Sequence, residues 1–247
     1  MPKPDRSGTI PVDGIRLWYA VYGHGAPVIL LHGGLASSNY WGKQIPALSP
    51  HYQVIAIDSR GHGRSTRDNT PISYHLMAED VVALMDALHI SKAAVVGWSD
   101  GGIIGLDMAI HHPKRLTRLF AFGANSDPSG AKSPEGTPVF EAYVTRTKEE
   151  YQKLSPTPKD FDAFFAQLSP MWKNEPRFSD EQLRGIKTPT WIVDGDRDEI
   201  IKREDTDRMA GLIPGAGELI LPRVSHFAFL QDPGLFNEVL LRFLSER

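Results

Sequence analysis

The chain contains no cysteine. That absence excludes disulfides, thiolate metal sites, iron–sulfur ligation and a cysteine nucleophile together, so an enzyme built on this sequence needs a different nucleophile. Long apolar runs are missing as well. The aliphatic stretches are as short as Val28–Leu31, far below the roughly 20 residues that span a bilayer, and no membrane partner is expected. The opening residues, Met1-Pro2-Lys3-Pro4-Asp5-Arg6-Ser7, lack the apolar segment of a secretory leader, which makes a cytoplasmic location the expectation. An excess of one charge is lacking too. Twenty-seven Lys and Arg stand against 30 Asp and Glu, a formal net charge of -3. Such a balance offers no electrostatic footprint for nucleic acid. Internal repeats and low-complexity segments are also absent.

What remains is the composition of an ordinary globular chain: 247 residues, 41% hydrophobic and 23% charged. This is enough for one large domain or two small ones with a sizeable core. Short aliphatic runs without alternation recur at Val28–Leu31, Val54–Ile57, Ala93–Val96, Leu116–Phe122 and Thr190–Val193. Runs of this kind suit strands covered on both faces, as in a parallel sheet. Ile15–Tyr22 reads as a further strand, paired with Thr9–Val12 through the Asp13-Gly14 turn. Between the strands lie helical patterns at Ser73–Leu88, Gly101–Ile110, Arg203–Ile213 and Leu235–Leu244. Alternation of the two element types predicts an α/β fold with a mostly parallel sheet and right-handed crossovers.

One stretch breaks the alternation. Residues 125–184 contain no aliphatic strand core but carry prolines at 128, 134, 138, 156, 158, 170 and 176. Aromatics lie among their charges: Phe140, Tyr143, Tyr151, Phe161, Phe164, Phe165, Trp172 and Phe178. The expectation is a core formed by residues 1–124 and 185–247, with 125–184 inserted as short helices and loops over the carboxyl edge of the sheet.

Gly97-Trp98-Ser99-Asp100-Gly101 matches G-x-S-x-G, and it stands between a predicted strand and a predicted helix, the context the motif requires. A chain that turns this sharply needs small residues at 97 and 101, and it pushes the Ser99 hydroxyl out beside the positive end of a helix. A serine hydroxyl is a weak nucleophile and needs a base oriented by a third group. In this context the chain order is serine, acid, histidine. Three aspartates compete for the acid in Asp194-Gly195-Asp196-Arg197-Asp198-Glu199. Asp198 is preferred because it lies past the strand end, where a loop can aim it. The same D-x-D-x-D spacing does not make a calcium loop, since Glu199 stands where glycine is needed. His226, after the predicted strand Glu218–Leu221, is the only histidine beyond the acid. His111-His112 sit at a helix end, His51, His75 and His89 read as solvated, and His24 and His62 lie in glycine turns. No H-E-x-x-H or comparable cluster points to a metal. For the oxyanion, two backbone N–H donors are needed. One is expected from Asp100, and the other from His32-Gly33-Gly34-Leu35, with Gly34 preferred and Leu35 second.

Taken together, His32-Gly33-Gly34, Asp58-Ser59-Arg60-Gly61-His62-Gly63-Arg64-Ser65, Gly97-Trp98-Ser99-Asp100-Gly101-Gly102, Gly195-Asp196-Arg197-Asp198 and His226 resemble the α/β-hydrolase superfamily from about residue 9 to the C-terminus. The resemblance implies an eight-stranded sheet with an antiparallel second strand, a lid over the site and a structural role for 58–65. Trp98-Ser99-Asp100-Gly101-Gly102 is similar to the elbow of the valacyclovir hydrolase (biphenyl hydrolase-like) group, which cleaves α-amino-acid esters. That similarity implies that Asp100 holds a substrate ammonium; on residue chemistry alone it is equally a helix N-terminal acid. Leu35, Trp98, Asp100 and Phe227 are the expected substrate-binding residues.

The expected activity is that of a serine esterase of the carboxylesterase type. It would cleave small carboxylic esters, including α-amino-acid esters, through an acyl-enzyme on Ser99, His226 and Asp198, with no cofactor. Alternatives on the same triad are a lactonase, an amidase, a carbon–carbon bond hydrolase or a haloperoxidase-like reaction with peracid. A hydrolase-fold receptor for a small ligand is the alternative from another class. Expected partners are the small-molecule substrate alone, with the chain a monomer or small homo-oligomer.

Overall fold

The computed structural model describes residues 1–133 and 137–246; Pro134, one of the prolines noted above, lies outside them. The elements run β1 (Arg6–Val12), β2 (Ile15–Tyr22), β3 (Pro27–Leu31), α1 (Ile45–Leu48), β4 (Gln53–Asp58), α2 (Tyr74–Ala87), β5 (Ala93–Trp98), α3 (Asp100–His111) and β6 (Leu116–Phe122). They continue with α4 (Pro138–Leu154), α5 (Phe161–Asn174), α6 (Asp180–Gly185), β7 (Thr190–Gly195), α7 (Arg203–Leu212), β8 (Gly217–Leu221), α8 (Ala228–Gln231) and α9 (Pro233–Ser245).

All eight strands form one sheet in the order β1-β2-β4-β3-β5-β6-β7-β8. β2 is antiparallel to both β1 and β4, and every pairing from β4 to β8 is parallel. The β1–β2 turn uses Asp13 and Gly14, both at positive φ (33° and 79°), as a tight hairpin with the twist of its strands demands. The expected hairpin, parallel core and antiparallel second strand are all present. β1 begins three residues earlier than the apolar pattern, at Arg6, because edge pairing continues to Val21 through polar residues.

The continuous aliphatic runs are explained by two cores, one on each face. Ile29, Leu31 and Val95 face a layer containing Met77, Val81 and Leu84 of α2 and Ile103, Ile104 and Leu106 of α3. Their neighbours Val28, Leu30, Ala94 and Val96 face the opposite layer, with Ile45 and Leu48 of α1, Phe229 of α8 and Phe236, Leu240 and Phe243 of α9. Successive strand side chains point to opposite faces, so a strand buried on both sides must be apolar at every position. Helix α3 is buried from Asp100 to Ala109. It follows β5 directly and packs against α2 as well as the sheet, so it shows no polar stripe.

The segment between β6 and β7 holds α4, α5 and α6. Helix α5 turns Phe161, Phe164, Leu168 and Met171 into the α2–α3 core, while α4 contributes Tyr151. Helix α6 opens with a capping box in which the Ser179 hydroxyl accepts the Gln182 N–H and the Gln182 side-chain oxygen accepts the Ser179 N–H, and it packs against α3 and α7. No helix among the described residues is long and apolar enough to cross a membrane.

Candidate active site

Between β5 and α3 the chain reverses within a single residue. Ser99 sits at φ 55° and ψ -122°, a region that non-glycine residues occupy at a cost of about 1–3 kcal/mol. Its surroundings impose the conformation. The Ser99 N–H donates to the Phe122 carbonyl (2.8 Å), and the Ser99 carbonyl accepts from the N–H groups of Gly102 (2.8 Å) and Ile103 (3.0 Å). The flanking glycines are steric necessities: a Cβ at 97 would lie 2.1 Å from the Gly101 carbonyl oxygen, and one at 101 would lie 2.1 Å from that of Leu31. Sequence reasoning required small residues at these two positions, and close backbone packing is the cause.

Asp198 lies in the loop after β7 and His226 in the loop after β8. Asp198 Oδ2 meets His226 Nδ1 at 2.7 Å. The other oxygen, Oδ1, accepts the N–H groups of Ile200 and Ile201, both at 2.7 Å. The carboxylate thereby fixes the Nδ1–H tautomer and leaves Nε2 with its lone pair. Burial pushes the Asp198 carboxyl up, but the charge and hydrogen bond of His226, a hydrogen bond with Asp194 and the Ile201 N–H outweigh it and hold the group below the ordinary carboxylate range. Space for the imidazole is made by Gly123 at the end of β6, where a Cβ would stand 2.9 Å from both Cε1 and Nδ1 of His226. Trp98, beside the serine, has its ring centroid 5.7 Å from that of His226. Neither Ser99 Oγ nor His226 Nε2 hydrogen-bonds to another described residue. Such contacts often tighten only when a substrate is bound.

Of the three competing aspartates, Asp198 alone reaches His226. Asp196 accepts from the Val224 N–H at 3.2 Å. Asp194 is buried at the end of β7, where it accepts from the Gly195 N–H (2.8 Å) and the Thr206 hydroxyl (3.1 Å). Burial, then the Asp198 charge and a hydrogen bond with that residue, push the Asp194 carboxyl well up. Asp194 is therefore the protonated member of the pair and Asp198 the charged one. Sequence spacing ranks the two aspartates, but it cannot show that their ionisations are linked.

The His32–Leu35 loop follows β3. His32 donates from Nδ1 to the Gly33 carbonyl (2.8 Å) and accepts the Ser59 N–H at Nε2 (3.0 Å), tying this loop to the one after β4. A turn closed by the Ala36 N–H on the Gly33 carbonyl (3.2 Å) holds Gly34 and Leu35 at its centre, with Leu35 at φ 63°. Among the described residues the N–H groups of Gly34, Leu35 and Asp100 have no protein acceptor, which leaves all three available to an oxyanion. A Cβ at 34 would meet Asp100 Oδ2 at 2.7 Å and Trp172 Cζ2 at 2.8 Å, so any larger residue there would displace that hydrogen-bonded pair. The 58–65 loop is tied to itself and to its neighbours: Asp58 accepts from the N–H groups of Arg64 (2.8 Å) and Ser38 (2.7 Å), and Arg60 makes two 2.7 Å bonds to buried Asp80.

Asp100 is buried between α2 and α5. Its Oδ1 accepts from the Tyr74 hydroxyl (2.9 Å) and its Oδ2 from Trp172 Nε1 (3.0 Å). Burial pushes the carboxyl up, against those two hydrogen bonds and the charge of His226. Neither donor was foreseen. Trp172 stood among the aromatics of the insertion and Tyr74 in a predicted helix, but nothing local to either links it to Asp100. Tyr143 of α4 was missed for the same reason. Its hydroxyl donates to the Gly34 carbonyl, and its ring lies 6.0 Å from Trp98, 5.1 Å from Phe227 and 5.9 Å from Tyr40. Trp98 and Phe227 are themselves 5.5 Å apart. Thus Trp98 and Asp100 flank Ser99 in the chain, Phe227 packs on Trp98, and α4 and α5 reach this cluster through Tyr143 and Trp172; Leu35 sits in the turn after β3.

A strained serine between strand and helix, with an acid and a histidine arriving from later strand ends, defines a hydrolase class, and residues 26–151 match the α/β hydrolase fold family. The chain belongs to that family. RutD of Caulobacter vibrioides, provisionally named a carbamate hydrolase, is 30% identical over 265 residues, covering 94% of this chain and 96% of that one. The human serine hydrolase BPHL is 28% identical over 255 residues, 96% of this chain and 86% of that one. Among solved structures, the CarC serine hydrolase involved in carbazole degradation superposes with a TM-score of 0.84 at 25% identity, covering 98% and 99% of the two chains.

Proposed function

We propose that this hydrolase cleaves small carboxylic esters through an acyl-enzyme on Ser99. The observation that carries this reading is the 2.7 Å bond from His226 Nδ1 to Asp198 on the same sheet edge as the strained Ser99. His226 Nε2 takes the Ser99 proton as Oγ attacks the ester carbonyl, while Asp198 stabilises the imidazolium that forms. The oxyanion is received by the N–H of Asp100 and that of Gly34, each worth about 10²–10³ in rate. His226 returns the proton to the leaving alcohol, then activates the water that releases the acid. Trp98, Tyr143 and Phe227 supply apolar walls for the acyl or alcohol group.

Within that class, α-amino-acid esters are favoured by Asp100, a carboxylate beside the nucleophile. An ionised carboxylate offers about four acceptor sites, and two are used by Tyr74 and Trp172. A substrate ammonium completes the set and supplies a charge that the buried group otherwise lacks. The name of RutD draws attention to carbamates, whose cleavage begins with the same serine attack.

The test is a panel of p-nitrophenyl esters, amino-acid esters with and without the amine, a lactone, an amide and a carbamate. Ester hydrolysis that disappears in Ser99→Ala, together with loss of labelling by a fluorophosphonate, is the expected outcome. A Ser99→Ala protein that keeps full ester activity sinks the reading. Equal rates on aminated and des-amino esters, unchanged in Asp100→Asn, remove the ammonium assignment and leave the esterase intact.

A further inference from the structure

On the far side of Asp100, away from Ser99, the packing of α2 on α3 gathers three groups that the hydrolytic chemistry does not use. Asp107 and His111 are four residues apart on α3, so they share a helix face. His75 comes from the first turn of α2. Its Nδ1 lies 2.9 Å from Asp107 Oδ1, and the Nδ1 of His111 lies 3.1 Å from the same oxygen. The three ligand atoms all fall within 4.8 Å of one another. We propose that His75, Asp107 and His111 form a binding site for a divalent transition-metal ion of the zinc type.

Two of the three ligand-atom separations already suit such an ion. Nitrogen and oxygen ligands sit about 2.0–2.2 Å from zinc, which separates neighbouring ligand atoms by roughly 3.0–3.4 Å for octahedral to tetrahedral angles. The two N···O separations, 2.9 and 3.1 Å, already match that spacing, and the widest, up to 4.8 Å, closes onto an ion by rotation of the exposed imidazoles. Two imidazoles and one carboxylate select zinc and its neighbours over magnesium or calcium, which prefer all-oxygen shells.

Asp107 is 4% exposed, and its only ion-pair partners among the described residues are these two histidines. Buried carboxylates need compensating partners; the Nδ1 atoms of the two histidines serve Asp107 here, and a cation on the open side of the three groups would take over that role. That side is accessible: the His75 and His111 side chains are 54% and 39% exposed. Both, with Asp107, line a cleft of about 230 Å³ that also borders Tyr74, Glu175 and Phe178, with room for waters to complete the shell. An outer partner stands nearby in Glu79, which also pairs with His112. Metal on His75 Nδ1 leaves Nε2–H facing Glu79, whose Oε1 is 3.7 Å away, the carboxylate–histidine–metal arrangement that orients ligands. The site stands apart from the hydrolytic centre but is next to it in the chain. His75 follows Tyr74, which donates to Asp100, so an ion here would clamp the helix turn that steadies that carboxylate.

The sequence conceals this site. Asp107 and His111 alone make a weak i,i+4 pair, and His75 joins them only through the crossing of two helices.

To test the site, the full chain, stripped with a chelator and dialysed, is titrated with ZnCl2 by calorimetry and with CoCl2 by visible absorption. One equivalent binding at micromolar concentration, an intense cobalt d–d band and a rise in unfolding temperature with zinc are expected. His75→Gln and His111→Gln each weaken binding at least ~10-fold and abolish the cobalt band, and Glu79→Gln weakens it about 10-fold. His51→Gln, an exposed histidine elsewhere, leaves affinity unchanged. The histidine side chains are exposed enough that folding survives, which circular dichroism checks. No saturable uptake by the wild-type chain overturns the proposal without any variant, as does unchanged zinc affinity in both His75→Gln and His111→Gln.

Discussion

The turn that carries Ser99 and the helices that roof it are held by different forces. At the elbow the constraint is backbone against backbone: carbonyl oxygens leave no room for a Cβ at 97 or 101, and peptide hydrogen bonds pin Ser99 from both sides. Over it, α4 and α5 are fixed by side chains. Tyr143 hydrogen-bonds to the Gly34 carbonyl, Trp172 to Asp100, and Tyr143 meets Trp98 and Phe227 ring against ring. Backbone sterics admit almost no substitution, while side-chain packing tolerates volume-conserving change. The two regions therefore separate a turn locked by its backbone from a roof whose side chains can vary; on the proposed mechanism, the first attacks the carbonyl and the second chooses it.

The largest effects should fall on the strand-end machinery. Asp198→Asn leaves the geometry in place but permits the wrong imidazole tautomer, and kcat for ester hydrolysis should fall about 10⁴-fold. Steady-state kinetics check this; a fall below tenfold would mean that the Asp198–His226 bond is structural. Next comes Gly101→Ala. Its added Cβ would lie 2.1 Å from a backbone carbonyl that cannot rotate away, so the loss should reach or exceed the ~3 kcal/mol upper end of ordinary overpacking, measured by urea unfolding.

Between the two regions lies His62, buried with its ring 4.7 Å from Phe164 of α5. Burial, then the charge of His32, push the His62 imidazole well below its ordinary value, and burial likewise lowers His32. The unfolded chain therefore binds protons that the folded one refuses. Stability is full above the unfolded histidine value of about 6.5 and declines as pH falls below it, by up to about 1.4 kcal/mol per pH unit per histidine. His62→Gln should flatten the decline between pH 6.5 and 5 in urea titrations. An unchanged slope would locate the proton uptake elsewhere.

On the roof itself, Tyr143→Phe removes one hydrogen bond and keeps the ring, so a loss of about 1 kcal/mol is expected, together with a change in KM for bulky esters and little in kcat. A collapse of kcat would place Tyr143 with the elbow and break the division. Smallest is Lys148→Ala, which ends an exposed pair with Asp162. That change should stay within ~0.5 kcal/mol, with ester kinetics unaltered.

The same division explains what was legible in the sequence. The strands were readable because a sheet buried on both faces needs unbroken aliphatic runs, and the elbow because its glycines are forced by local packing. Asp198 and His226 were readable because chain order fixes them at successive strand ends. The partners of Asp100 were not. Tyr74 and Trp172 lie 26 and 72 residues from it in the chain, on helices whose angle no local pattern encodes. Short elements escaped for a different reason: α1 and α8 are four residues each, too brief for a helical period to register. The aromatic insertion was visible as a break in pattern, but its helices show amphipathic stripes interrupted by Pro170 and by charges, and the packing of α6 against α3 and α7 depends on tertiary context.

The backbone of Ser99 has one more implication. A residue held at φ 55° by its neighbours is one that glycine would occupy at ease. Ser99→Gly should thus yield a protein that unfolds later than the native one, by a margin approaching the 1–3 kcal/mol such conformations store, yet turns over nothing. Selection for heat resistance alone would drift toward that inert sequence, whereas selection for turnover holds the serine against it. On the proposed mechanism, a serine at this position is what selection for turnover, and not for heat resistance, would retain.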